Sequence, residues 1–352
     1  MDQKAIERKN NIQLSREDYE RETLHPNYLH KCSKEELIQI IQKQTALSHK
    51  DTRKLEKATK ALKNAKQMNF AEYELAKFAL KFTYIGANYA GLVVQANEPN
   101  TVEQHLLSTL RKVCLIDPND SSSYACCLNR CGRTDKGVSA LNNVLSIVMR
   151  KLPQEDYILR INRCLPQDIR VLAYAYVDES FDSRFSCVYR EYNYFFFQQQ
   201  MNIPLLAKSA LKLLGLHDFR NFAKKDDTVF RPDDEEQNFM RRIYLFRTQL
   251  VQRNSVNPGL NVYKCVIRGS AFLWHQVRLM MNVLFMIGRG DEPPEIIDTL
   301  LDVEKVPTRP EYDYAAGENL ILSDCGFEDM QWRDSVYSSN ETYLLFKVSP
   351  RE

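Results

Sequence analysis

The sequence predicts a mixed α/β (α+β) protein. Runs of aromatic and β-branched residues recur from Phe78 onward, capped helical stretches lie between several of them, and polar or glycine-containing turns bound both. With 352 residues and 44% hydrophobic content, the chain can build a sizeable core, either as two domains or as one large unit with an appendage. No repeat period is evident along it.

Taken in order, Ser33-Lys-Glu-Glu36 forms a capping box, and Leu37, Ile40 and Ile41 follow at helical spacing. A second helix is predicted from Asp51, with Leu55, Ala58, Leu62 and Ala65 on one stripe. Between Lys50 and Lys66 seven basic residues stand against two acidic ones, a surplus of five. That surplus suits a phosphate backbone, although a solvated charged helix face has the same composition. Residues 1–75 therefore read as a basic helical N-terminal extension, and 76–349 as the main domain.

The stretch "FALKFTYIGANYAGLVVQ" (78–95) is strand followed by a glycine turn, and Thr101-Val-Glu-Gln opens a helix that ends before Pro118. Further strands are predicted at 143–150, 170–177, 190–197, 243–251 and 261–268. Residues 224–238, charged and poor in apolar side chains, read as a mobile surface insertion. After Gly269 the spacing places Leu273, Val277, Met280, Leu284 and Ile287 on one helical stripe, with Trp274, His275 and Arg278 offset from it.

Bulk properties exclude some classes. No apolar run approaches the roughly 18 residues of a membrane span, and the polar "MDQKAIERKNN" start predicts no secretory signal. The nine cysteines are odd in number and form no Cys-x-x-Cys pair, so they read as reduced thiols of an intracellular protein. Cys127 and Cys131 lack the second pair that a tetrahedral metal set needs, so no metal and no small-molecule cofactor is expected.

The segment "RCGRTDKGVSA" (130–140) poses the functional question. Asp135-Lys-Gly between strand-like runs is good turn chemistry, yet an aspartate among cations can also be a catalyst. Its company decides. "GRTDKGVSA" (132–140), "FDSRFSC" (181–187), "YREYNYFFF" (189–197), "GLHDFRNF" (215–222) and "GSAFLWHQVRLMMNVLFMIGRG" (269–290) occur in the order found in the TruA-type tRNA pseudouridine synthases. The chain resembles that family over about 78–346, and within it the eukaryotic branch acting at tRNA positions 38 and 39 is the more similar. Lys136 and Ser139 stand where the bacterial pattern has alanine and histidine.

The resemblance implies an isomerase with Asp135 as the catalytic carboxylate, Arg278 as its counter-ion and Tyr192 as the active-site tyrosine, stacking on the target base and relaying a proton. Arg133 and Lys136 are the implied substrate contacts, and His275 is expected to be structural. Also implied are two sheet-containing halves, about 78–175 and 176–346, around a basic cleft, a continuous antiparallel sheet, and a homodimer sharing the tRNA anticodon stem-loop. The expected location is nucleus and cytoplasm. Period-two alternation independently puts Arg190, Tyr192, Tyr194 and Phe196 on one strand face, with Tyr194 and Phe196 read as core. Two rivals are a sister synthase acting at other uridines of tRNA or small nuclear RNA, and a non-catalytic RNA-binding module.

Overall fold

The computed structural model describes residues 70–95, 97–119, 126–154, 156–224 and 238–334. The predicted helices at 33–41 and 51–65, the basic surplus at 50–66 and most of the 224–238 segment lie outside the described residues.

Strand β1 (Leu75–Tyr84) is followed by helix α1 (Val102–Lys112), then β2 (Asn129–Arg130), β3 (Ser139–Arg150), α2 (Tyr157–Asn162) and β4 (Ile169–Tyr176). The second half runs β5 (Cys187–Phe197), α3 (Ile203–Ala210), β6 (Gly215–Asp218), β7 (Met240–Gln252), β8 (Val262–Gly269), α4 (Gln276–Arg289), α5 (Ile296–Leu301), β9 (Leu320–Phe327) and β10 (Arg333–Asp334). Among the described residues these strands form one sheet in the order β10-β4-β1-β3-β9-β5-β8-β7-β6, with β2 paired to β3.

The sheet is antiparallel except at its centre, where β3 and β9 run parallel through Ser139↔Ile321 and Ala140↔Leu322. The expected continuous, mostly antiparallel sheet is present, with this one parallel pair inside it. A parallel pair needs a long crossover, and the chain between β3 and β9 supplies one. β1, β3 and β4 lie on one side of this join and β5 to β8 on the other.

Local chemistry accounts for the elements. Thr101 caps α1, its hydroxyl accepting from the Gln104 N–H at 3.3 Å. Phe78 on β1 packs against Tyr157 of α2 and Tyr176 of β4, with ring centroids 5.0 and 4.7 Å away. Helix α4 is apolar on more than one stripe: Val277, Leu279, Met280, Met281, Val283, Leu284 and Ile287 are all buried. Burial of each such side chain contributes about 1.5–3 kcal/mol, and Phe285 packs the helix onto β5 through Tyr194 and Phe196.

The helix starts later than its periodicity predicts. Leu273, Trp274 and His275 precede it, because His275 adopts a left-handed backbone (φ 61°) that α-helix cannot continue through. Gly290 (φ 82°) closes the other end.

Candidate active site

The Cys131–Val138 loop joins β2 to β3 and leads directly into the parallel join. It is the predicted turn as well as the candidate site: the Val138 N–H donates to the Asp135 carbonyl at 3.2 Å, across Lys136 and Gly137. Gly137 carries φ +81°, which a side chain would strain.

The loop is anchored along its length. Arg130 makes a forked ion pair with Glu103 in the first turn of α1, whose carboxylate is buried. Asn143 of β3 accepts from the Gly132 N–H at 3.2 Å and donates to the Gly132 carbonyl at 2.8 Å. The Thr134 hydroxyl meets the Tyr84 hydroxyl at 2.7 Å, and the Thr134 carbonyl accepts from Leu92 N–H at 3.1 Å. Gly86 touches the loop's exit so closely that a Cβ there would lie 2.0 Å from the Val138 carbonyl oxygen.

These anchors aim Asp135 toward the start of α4. Its Oδ2 lies 3.5 Å from Arg278 Nη1 and 3.2 Å from His275 Nε2. The carboxylate is 28% exposed, Arg278 12% and His275 9%, so its two partners stand inside while one side of the acid stays open to a ligand. Arg278 is itself fixed: its Nε donates to the Ala315 carbonyl at 2.7 Å, its own carbonyl accepts from Ala315 N–H at 3.1 Å, and its guanidinium lies 4.4 Å from the Tyr314 ring centre.

Burial holds the His275 imidazole below its ordinary pKa, with Asp135 pulling the other way and Arg278 repelling the charged form. A neutral ring with its proton on Nε2 donates to Asp135 and leaves Nδ1 as an acceptor; Nδ1 is buried and has no hydrogen-bond partner among the described residues. The ring packs 4.6 Å from Tyr314. His275 thus bonds the carboxylate directly, a contact that helical spacing did not reveal because the residue precedes the helix.

Tyr192 lies one strand beyond the join, in the cross-sheet row Ala140, Leu322, Tyr192, Ile267. Its side chain is buried with Phe272 edge-on at 5.1 Å. Burial pushes its hydroxyl pKa up strongly, and the Asp135 charge adds to the effect. Tyr194 and Phe196 are core residues, and Tyr194 donates to the Ala316 carbonyl at 3.0 Å, next to the residue that holds Arg278. Arg133 and Lys136 are exposed on the loop.

Two parts of the site were not found from the sequence. Segment 314–317 locks Arg278, and a Cβ at Gly317 would lie 3.0 Å from the Lys136 carbonyl. Arg190, buried on β5, donates to the carbonyls of Cys131 (3.3 and 3.2 Å) and Ser270 (2.9 Å), holding the root of the loop. An arginine on the inward face of an aromatic strand was the available signal for it.

The candidate site is thus one carboxylate held by Arg278 and His275, with a buried phenol nearby, at the junction of a large, mostly antiparallel sheet. Residues 210–328 match the family model for tRNA pseudouridine synthase. The chain is 37% identical over 325 residues to the tRNA pseudouridine(38/39) synthase of Homo sapiens, covering 85% of this chain and 65% of that one. It is 34% identical to a probable tRNA pseudouridine synthase of Caenorhabditis elegans, covering 80% and 75%. With tRNA pseudouridine synthase A of Methanothrix thermoacetophila it shares 32% identity, covering 74% and 87%. The chain belongs to the TruA-type tRNA pseudouridine synthase family. It spans 65% of the length of the human relative.

Proposed function

We propose that this protein isomerises uridine to pseudouridine in tRNA, at positions 38 and 39 of the anticodon stem-loop. The observation that carries the reading is the Asp135 carboxylate, open on one side and held by Arg278 and His275 on the other. The reaction breaks N1–C1′, turns the base over and forms C5–C1′; a proton leaves C5 and N1 gains one, so no electrons are exchanged. Asp135 either removes the C2′ proton or attacks C1′, and Arg278 supplies the counter-charge in both routes.

Tyr192 stays a neutral phenol near pH 7, since its pKa is raised. It therefore stacks on the base and donates or relays a proton instead of acting as a phenolate. Arg133 and Lys136 hold the RNA backbone once the nucleotide leaves the stack. Positions 38 and 39 are supported by the human relative's name. We further propose a homodimer that shares one tRNA, acting in nucleus and cytoplasm.

Pseudouridine mapping of purified tRNA tests this. Wild type is expected to modify 38 and 39, and Asp135→Asn to abolish product while tRNA affinity stays within several-fold. Residual turnover above a few per cent in that variant overturns the role of Asp135. Product only at other positions moves the chain to a sister specificity.

A further inference from the structure

Three cysteines far apart in sequence converge at the root of the candidate catalytic loop. Cys131 opens the loop, Cys187 begins β5 and Cys325 lies on β9; all three are buried, and their sulfurs lie within 4.8 Å of one another. We propose that they form a thiolate site for a thiophilic divalent cation, with zinc as the probe.

Geometry is the first argument. Zinc–thiolate bonds of about 2.3 Å in a tetrahedron put sulfurs about 3.8 Å apart, so side-chain rotations that close the trio by about 1 Å complete the set. An oxygen donor is at hand for a fourth position, since the Tyr189 carbonyl oxygen lies 3.0 Å from Cys187 Sγ.

Charge is the second. Arg190 is buried, its guanidinium donates to the backbone carbonyls of Cys131, Ser270 and Arg184, and among the described residues no carboxylate pairs with it. It faces Cys325 across the β5–β9 ladder, and its charge acts on all three thiols. Three thiolates around a divalent ion carry a net charge of −1, which this guanidinium neutralises; a monovalent ion would leave −2. Binding releases the thiol protons to solvent and ties the loop root to two central strands.

The full chain, reduced, stripped with a chelator and dialysed, is titrated with zinc and separately with cobalt(II). One zinc per chain and a thiolate-to-cobalt charge-transfer band are expected. Cys187→Ser and Cys325→Ser should each weaken zinc binding at least about tenfold, while Cys127→Ser, at an exposed cysteine, leaves it unchanged. Should a serine variant misfold by circular dichroism, the wild-type cobalt spectrum decides. Zinc uptake below about a tenth of an equivalent, uptake that survives both substitutions, or a cobalt spectrum without the thiolate band overturns the proposal.

Discussion

Gly86 is where one added methyl group reaches the candidate site. Its backbone lies outside the left-handed region, so alanine there meets no dihedral penalty and the contact alone is tested. The new Cβ would sit 2.0 Å from the Val138 carbonyl oxygen, whereas ordinary contact begins at 3.4 Å, so that carbonyl must retreat by about 1.4 Å. The movement strains the Gly86 N–H bond to Ser139 Oγ, now 2.9 Å, and the Val138–Asp135 bond that closes the turn. Overpacking against backbone costs about 1–3 kcal/mol. At about 2–4 °C per kcal/mol for a domain of this size class, Tm should fall by about 2–12 °C. A shift of about 1 Å at a reacting group costs about a hundredfold in turnover, while tRNA affinity, governed by phosphate contacts, should stay within about threefold. Single-turnover pseudouridine formation, filter binding and thermal denaturation of Gly86→Ala measure all three. Turnover within about threefold of wild type together with an unshifted Tm would refute the idea that β1 sets the loop's position.

Arg278→Lys keeps the charge but cannot serve both the Ala315 carbonyl and Asp135 from one fork; turnover should fall by about a hundredfold, and near-normal turnover would show that charge alone suffices. His275 provides a pH test. Its folded pKa lies below the ordinary 6.5, so the unfolded chain takes up this proton first as pH falls. The contribution of His275 to stability is whole above pH 6.5 and is lost as pH drops from there toward the folded value. Denaturant titrations should therefore show a smaller loss of stability between about pH 7.5 and 5 in His275→Gln than in wild type; parallel profiles would mean that the ring titrates alike in both states.

Strands with a clear apolar or aromatic pattern were legible in the sequence, β1, β3 and β5 among them, as were the Thr101 cap and the inward face of Arg190, Tyr192, Tyr194 and Phe196. β9 was not, because Ser323, Asp324 and Gly326 make it look like a loop. Its polar groups are satisfied by its neighbours in the sheet: the Ser323 hydroxyl donates to the Glu191 carbonyl of β5 at 3.0 Å, Asp324 accepts from the Tyr189 hydroxyl at 2.8 Å, and the Ser323 carbonyl accepts from Asn142 of β3 at 3.1 Å. Asp135 and Arg278 came from motifs, and the structure brings them together. The contribution of His275 was hidden by a backbone conformation that periodicity does not encode. The cysteine trio was hidden by separations of 56 and 138 residues along the chain, 131 to 187 and 187 to 325.

The placement of β9 between β3 and β5 also sets the order of assembly. Among the described residues this strand, residues 320–327, leaves the ribosome after every other strand except β10. Until it arrives, the row from Ala140 to Tyr192 has a gap at Leu322 and the two earlier groups of strands share no ladder. Closing so distant a contact is entropically slow. A nascent chain therefore carries Asp135, Tyr192 and Arg278 before the two groups of strands that hold them are joined.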